Sequence, residues 1–252
     1  MMELFRKRNN SGFSDSLHRE AEGLALLAGA LEELDCPQLG VPEVVSVTDE
    51  ELVLPLISSA RPGPALMSAL GDGLARIHRM PHPRYGLGTD NYIGLSPQKN
   101  GWSDDWGSFF LKNRLGVQVG MIRDPSVRDE FQQVLDQKGA LLADFLSQTC
   151  DQPSLLHGDL WSGNVMFDHQ KAWLIDPAVY YGDREADLAM TGFFGGFTRD
   201  FYQAYDKVWP RTAEYPRKRD IYNLYHALNH YNLFGGGYLE RCRVLSGAIV
   251  SL

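Results

Sequence analysis

At 252 residues, with 44% hydrophobic and 22% charged side chains, the chain can bury a sizeable core as one compact unit or as two lobes sharing a cleft. A net charge of −8 at pH 7 offers no basic footprint for nucleic acid or an anionic membrane, so neither is an expected partner. Cys36, Cys150 and Cys242 lie far apart without Cys-x-x-Cys spacing, the opening MMELFRKRNN lacks the apolar core of a signal peptide, and no apolar run is long enough to span a bilayer; the cytoplasm is the expected setting.

The first predicted element is a short strand in ELFRK, ended by the polar turn RNNSG, with Lys7 at its close. From Ser14, a suitable N-cap, Leu17, Ala21, Leu24, Leu27 and Leu31 recur at three- and four-residue steps, the stripe of an amphipathic helix with Glu20 beside its apolar edge. VPEVVSV (41–47) and ELVLPLI (51–57), joined by Thr48-Asp49-Glu50, read as a hairpin. The Pro-, Gly- and Ser-rich stretch that follows separates this α+β segment from mainly helical sequence. The expected division is a lobe over 1–57, a hinge over 58–63 and a helical lobe over 64–252.

Beyond the hinge, helices are expected over 64–79, 104–121 and 126–147, with an irregular stretch at 82–103. NVMF and AWLI form a second expected hairpin about Asp168-His169-Gln170, and helices return from 185, with Ile221, Leu224, Tyr225, Leu228 and Tyr231 on one face. His78 and His82 stand four apart, but Pro81 breaks the helix between them and no third ligand is evident, so they are not read as a metal site. Gly235-Gly236-Gly237 has no following Lys-Ser/Thr and reads as a turn.

The segment that carries chemistry is LLHGDLWSGN (155–164) with Leu174-Ile175-Asp176. Phosphoryl transfer needs a carboxylate to receive the nucleophile's proton and oxygen ligands for Mg²⁺. In protein kinases an Asp and an Asn five positions later come from one loop, and a second metal-binding Asp follows the next hairpin. Asp159, Asn164 and Asp176 repeat that order and spacing. A surface turn rich in Asp and Asn is the plain alternative, but His157 before Asp159 and the apolar run before Asp176 make it the weaker one.

HGDLWSGN and LIDPAVYYGDREADLAM, with DNYIGLSPQKNGWSDDWGSFFLKNRLGVQV (90–119) and LNHYNLFGGGYL (228–239), resemble the fructosamine kinase family, a branch near the aminoglycoside phosphotransferases and choline kinases. The resemblance runs from Lys7 nearly to the C-terminus. It implies an α+β, two-lobed, protein-kinase-like fold: a small N-terminal sheet with one helix, and a mostly helical C-terminal lobe. It also implies ATP and Mg²⁺ as cofactors and a free or protein-bound ketoamine as substrate, phosphorylated on the sugar's 3-hydroxyl in support of deglycation. By the same resemblance Asp159 is the catalytic base, Asn164 and Asp176 hold Mg²⁺, and Lys7 contacts the α/β-phosphates with Glu20 as its ion-pair partner. Asp187 braces the catalytic loop beside His157, Asp183 is a further candidate for that neighbourhood, and Trp161 contacts the sugar.

Two departures stand out. No Gly-rich loop precedes Lys7, so the sheet is expected to lack its first hairpin, to expose an edge, and to bind ATP weakly with slow turnover. At the hinge, Pro55 has no N–H to offer adenine, which shifts that expectation to the amide of Ile57. The rival expectations are a phosphotransferase for an aminoglycoside, choline or another amine-bearing alcohol, and a non-catalytic binding protein that keeps Asp159 and Asn164 as relics.

Overall fold

A computed structural model describes residues 3–252, so the first two positions of the expected 1–57 lobe lie outside it. Strand β1 (Leu4–Arg8) pairs antiparallel with β4 (Glu51–Pro55), which also carries the short β3 (Ser46–Val47). Helix α1 (Ser16–Glu32) covers this sheet through Leu17 and Leu24, which pack on Leu52 and Leu54. The hairpin expected from 41–47 is shorter than its apolar run suggests. Pro42 cannot donate to a ladder, and pairing begins only where the Val45 amide reaches the Val53 carbonyl.

Strand β2 (Leu39–Gly40) belongs by sequence to the N-terminal part yet pairs in parallel with β9 (Ala172–Leu174), which pairs with β8 (Val165–Phe167). Leu27, Ala30 and Leu39 accordingly share a core with Leu70, Leu74 and Ile77 of α2 (Pro64–Arg79) and with the β8–β9 hairpin. The second half of α1 therefore anchors the small sheet to the larger body.

Between α2 and the helical bundle, the stretch expected to be irregular contains a hairpin of β5 (Asn91–Ile93) and β6 (Ser96–Gln98). One helical segment follows: α3 (Trp106–Phe109), a π-helical turn over Phe110–Gly116, and α4 (Val117–Gly120). The wide turn carries Arg114, fully buried, with its guanidinium 3.9 Å from the Tyr180 ring centroid and bonded to Asn100 Oδ1 at 2.9 Å. Helix α5 (Pro125–Thr149) leads to β7 (Ser154–Leu156), which pairs with β10 (Tyr180–Gly182). Helices α6 (Glu185–Thr191), α7 (Arg199–Val208), α8 (Tyr215–Phe234) and α9 (Leu239–Val250) complete the chain. A second core, from Trp106, Phe110, Leu142, Tyr222 and Leu228 among others, fills this bundle. No helix among the described residues is long and apolar enough to cross a membrane.

Candidate active site

The loop from His157 to Asn164 leaves β7 and enters β8, so strands pin both its ends. Gly158 sits at φ +83°, and a Cβ there would press on the Ala178 carbonyl, so this turn admits glycine only. Asp187, buried at the start of α6, takes the amide protons of His157 at 2.7 Å and Gly158 at 2.9 Å on its two oxygens. His78 Nε2 lies 3.2 Å from the same carboxylate, and His78 Nδ1 lies 2.8 Å from the Tyr205 hydroxyl. Burial pulls the Asp187 pKa upward, but His78, His157 and the Gly158 amide outweigh it and hold the group below the usual range.

His157 completes the brace. Its Nε2 donates to the Ile175 carbonyl at 2.9 Å, which leaves Nδ1 to accept from the Asp159 amide at 3.3 Å. Burial keeps this imidazole below its ordinary pKa, so a neutral ring ties the loop to the residue just before Asp176.

The three residues expected to converge do so. Asn164 Nδ2 donates to the Asp159 carboxylate at 3.0 Å, to the Asp159 carbonyl at 2.9 Å and to the Asp176 carbonyl at 3.4 Å. Asp176 is the single non-glycine residue with positive φ among those described, at +52°, a strained conformation held where the chain passes the cleft. Burial first, then the Asp176 and Asp187 charges, push the Asp159 pKa up to about 7 against the Asn164 hydrogen bond.

Across the cleft, Lys7 Nζ bonds Glu20 at 2.8 Å and Asp176 at 2.9 Å. Burial opposes charge on both Lys7 and Glu20, yet the two carboxylates facing it hold the ammonium above its ordinary range. Lys7, Glu20, Asp159, Trp161, Asn164 and Asp176 all line one cleft of about 560 Å³. The set fits a hard divalent cation: Asn164 Oδ1 and Asp176 Oδ1 accept no protein hydrogen bond among the described residues, and both belong to the oxygen-donor class that Mg²⁺ prefers.

Trp161 borders the cleft and meets the Phe194 ring edge-on at 5.5 Å. Ile57 is not among the cleft-lining residues, although its amide makes no backbone hydrogen bond among the described residues. Asp183 makes no contact with the loop's polar groups; it is bonded to Lys218 at 2.7 Å and Tyr222 at 2.7 Å in the interior of the bundle. Two participants escaped the sequence reading. His78 supports Asp187, a role hinted at by a polar residue on the apolar stripe of Leu70, Leu74 and Ile77; Tyr92 lines the cleft and bonds Asp15 at 2.6 Å, for which the sequence carries no signal.

A lysine–glutamate pair on a strand and helix, facing an Asp–Asn loop and a hairpin-borne Asp, defines a protein-kinase-like fold and cleft. A solved structure of a thermostable variant of the aminoglycoside phosphotransferase APH(4)-Ia shares that fold at a TM-score of 0.60 and 17% identity, over 98% of this chain and 85% of its own. The sequence profile of the fructosamine kinase family matches residues 1–250, and the chain belongs to that family. It is 38% identical to a probable ketoamine kinase of Vibrio parahaemolyticus, over 98% of this chain and 85% of that relative. A crystal structure of a protein assigned as fructosamine-3-kinase from Thermobifida fusca superposes with a TM-score of 0.86 at 27% identity, covering 100% of this chain and 86% of the other.

Proposed function

We propose that the protein transfers the γ-phosphoryl group of ATP to a sugar hydroxyl of a ketoamine of the fructosamine type, the 3-hydroxyl being the acceptor atom. Membership of the fructosamine kinase family supports the substrate class. The observation that carries the reaction type is the meeting of Asp159, Asn164 and Asp176 opposite Lys7 in one cleft.

Asp159 takes the proton of the attacking hydroxyl. A carboxylate with a pKa of about 7 is well matched to that task near neutral pH, being both available and basic. Asn164 holds it in place through the 3.0 Å bond. Lys7, fixed by Glu20, supplies positive charge for the α- and β-phosphates. The free oxygens of Asn164 and Asp176 would hold Mg²⁺, which when bound screens the charge of the phosphates. Trp161 offers a ring face for the apolar side of the sugar. The amide of Ile57, two residues past Pro55 and without a backbone partner among the described residues, is the proposed donor to adenine. The division into a lobe over 1–57, a linker over 58–63 and a lobe over 64–252 is supported by the lack of regular structure between β4 and α2. The shared core of α1 and α2 makes the two lobes lean on each other.

The test is ADP release by the purified protein with a fructosyl-lysine acceptor, a free aminoglycoside and choline, each with Asp159→Ala as control. Turnover with the ketoamine that Asp159→Ala abolishes is the expected result. Turnover confined to the aminoglycoside or choline would move the acceptor class, and nucleotide binding without turnover on any acceptor would reduce the protein to a binding module.

A further inference from the structure

Away from the cleft, α8, α9 and the end of α6 enclose a second cavity of about 370 Å³, lined by Arg211, Arg219, Arg241, Asp220, Asn223 and Tyr202 among others. Three guanidiniums line it against Asp220, and Asp206 pairs with Arg211 beside it, so one positive charge is left over in a chain whose net charge is −8. Arg211 is paired with Asp206 at 2.7 Å and Arg219 with Asp220 at 2.9 Å, but Arg241 makes no ion pair among the described residues. Arg241 is held by donating to the Phe193 carbonyl at 2.7 Å and by lying 3.5 Å from the Phe193 ring centroid. The paired arginines keep donors in reserve: Arg211 uses Nε and Nη2 on Asp206, and Arg219 uses only Nε.

Asn223 is the independent sign of a ligand. It is 5% exposed, it lines this cavity, and neither end of its side-chain amide makes a hydrogen bond among the described residues. A buried amide left unpaired is uncommon in a folded protein and calls for a partner from elsewhere. Guanidiniums ask for an oxyanion, while a primary amide asks for a hydroxyl, which both accepts and donates. A phosphorylated polyol carries both groups on one small body, and the cavity is of ligand size.

The cavity also connects to the active site. Phe193, gripped by Arg241, meets Phe194 edge-on at 4.7 Å, and Phe194 meets Trp161 of the catalytic loop at 5.5 Å. A ligand drawing on Arg241 pulls on the first ring of that chain.

We propose that the cavity between α6, α8 and α9 is an effector site for a small phosphorylated polyol, bound by Arg211, Arg219, Arg241 and Asn223 and sensed at Trp161 through Phe193 and Phe194. The test is calorimetric titration of the nucleotide-free protein with ribose 5-phosphate and, separately, with inorganic phosphate. Ribose 5-phosphate is expected to bind one site per chain, and Arg241→Gln and Arg219→Gln each weaken it about tenfold, the loss of one charge-assisted hydrogen-bond donor. Arg219 is half-exposed, so its variant reports binding even if the buried Arg241→Gln folds poorly. Arg243→Gln, on the same helix but paired with Glu130, and Asp176→Asn, in the catalytic cleft, leave the affinity unchanged.

No binding, or binding lost in Asp176→Asn and kept in both arginine variants, overturns the site. Equal affinity for inorganic phosphate overturns the polyol part. The effector role rests on the kinase reading and is measured apart from binding: ribose 5-phosphate shifts the acceptor KM of the wild type and leaves that of Arg241→Gln unmoved. An acceptor KM that ignores the ligand in an active enzyme overturns that role while the calorimetry stands.

Discussion

The loop that carries Asp159 and the strand that carries Lys7 face each other across the cleft, but they are held by different means. Behind the loop lie groups that are all buried: Asp187 accepts two of its amides, and His78 and His157 tie that carboxylate and the loop to α2 and to Ile175. Strand β1 has pairing on one side only among the described residues, with Leu4 41% and Phe5 47% exposed, and Lys7 is positioned chiefly by its two carboxylates. Asp159, the proposed proton acceptor, is thus placed by the interior, and Lys7, the proposed phosphate contact, by ion pairs at its own tip. Buried hydrogen-bond networks are little affected by salt, whereas ion pairs that reach solvent, as the one between Lys7 and Asp176 does, are screened by it.

The sharpest contrast comes from removing the proposed base, Asp159. Asp159→Ala is expected to lower kcat by about a thousandfold with little change in ATP affinity, the scale of losing a positioned proton acceptor. The pH dependence follows from the same residue. With a pKa of about 7, Asp159 is protonated in mildly acid solution, so kcat/KM falls about tenfold per unit as pH drops below about 7. For stability the sign is opposite. Because the folded-state pKa is raised, the neutral form favours folding at low pH, and that contribution is lost as pH rises through about 7. Asp159→Asn is therefore expected to be inactive yet, at pH 8, more stable than the wild type by on the order of 2 kcal/mol in the nucleotide-free state. Thermal unfolding at pH 5 and pH 8 checks it: a variant no more stable at pH 8 would show that Asp159 is not held against its charge.

The brace behind the loop should fail differently. Asp187→Ala strands two amides and His78 in the interior, an expected cost of about 3 kcal/mol, with activity lost through a displaced loop. Urea unfolding separates the two variants: Asp159→Asn keeps or raises the midpoint at pH 8, and Asp187→Ala lowers it. If Asp187→Ala unfolded at the wild-type midpoint, the interior would not be what places the loop.

What could be read in advance divides along similar lines. Asp159, Asn164 and Asp176 were legible because they lie within one loop and the strand after it, where spacing along the chain nearly determines spacing in space. Lys7 and Glu20 were legible only through family resemblance, since a lysine ending a strand and a glutamate edging a helix say nothing alone. Partners brought together by packing were not legible: His78 meets Asp187 across 109 positions, and Lys218 is buried between Asp183 and Glu185 from the far side of the bundle. The second half of α1 was assigned to a small lobe, but its apolar stripe continues onto the core shared with α2. An amphipathic stripe shows that a helix has a buried face, and it is silent on which body the face is buried against.

On the Lys7 side, Lys7→Met is expected to raise the ATP KM about tenfold and to lower the unfolding midpoint by less than Asp187→Ala does, because the mostly buried Glu20 left without its partner can take up a proton. The ATP KM of the wild type is also expected to climb more steeply with salt than the acceptor KM does. Equal salt slopes for the two substrates would erase the distinction between the two walls of the cleft.

The smallest effect belongs to the contact that joins the β5–β6 hairpin to the entrance of α1. Tyr92 donates to Asp15 at 2.6 Å and stacks on Phe13 with ring centroids 4.8 Å apart. Burial, then the hydrogen bond to Asp15, pushes the Tyr92 pKa up to about 12, and the Tyr92 bond leads the causes that lower Asp15. Tyr92→Phe keeps the stack and removes the bond, so it costs about 0.5–1 kcal/mol, read as a small fall in the melting temperature above pH 5. Because the Asp15 pKa is depressed in the folded state, its share of that stability is present above the unfolded carboxylate value and fades as pH falls through the folded one. The gap between the wild type and Tyr92→Phe should therefore narrow as pH falls below the ordinary carboxylate range. A gap that stays constant throughout an acid titration would mean that the ionised Asp15 adds nothing to the bond, and that the hairpin and α1 are not joined by charge.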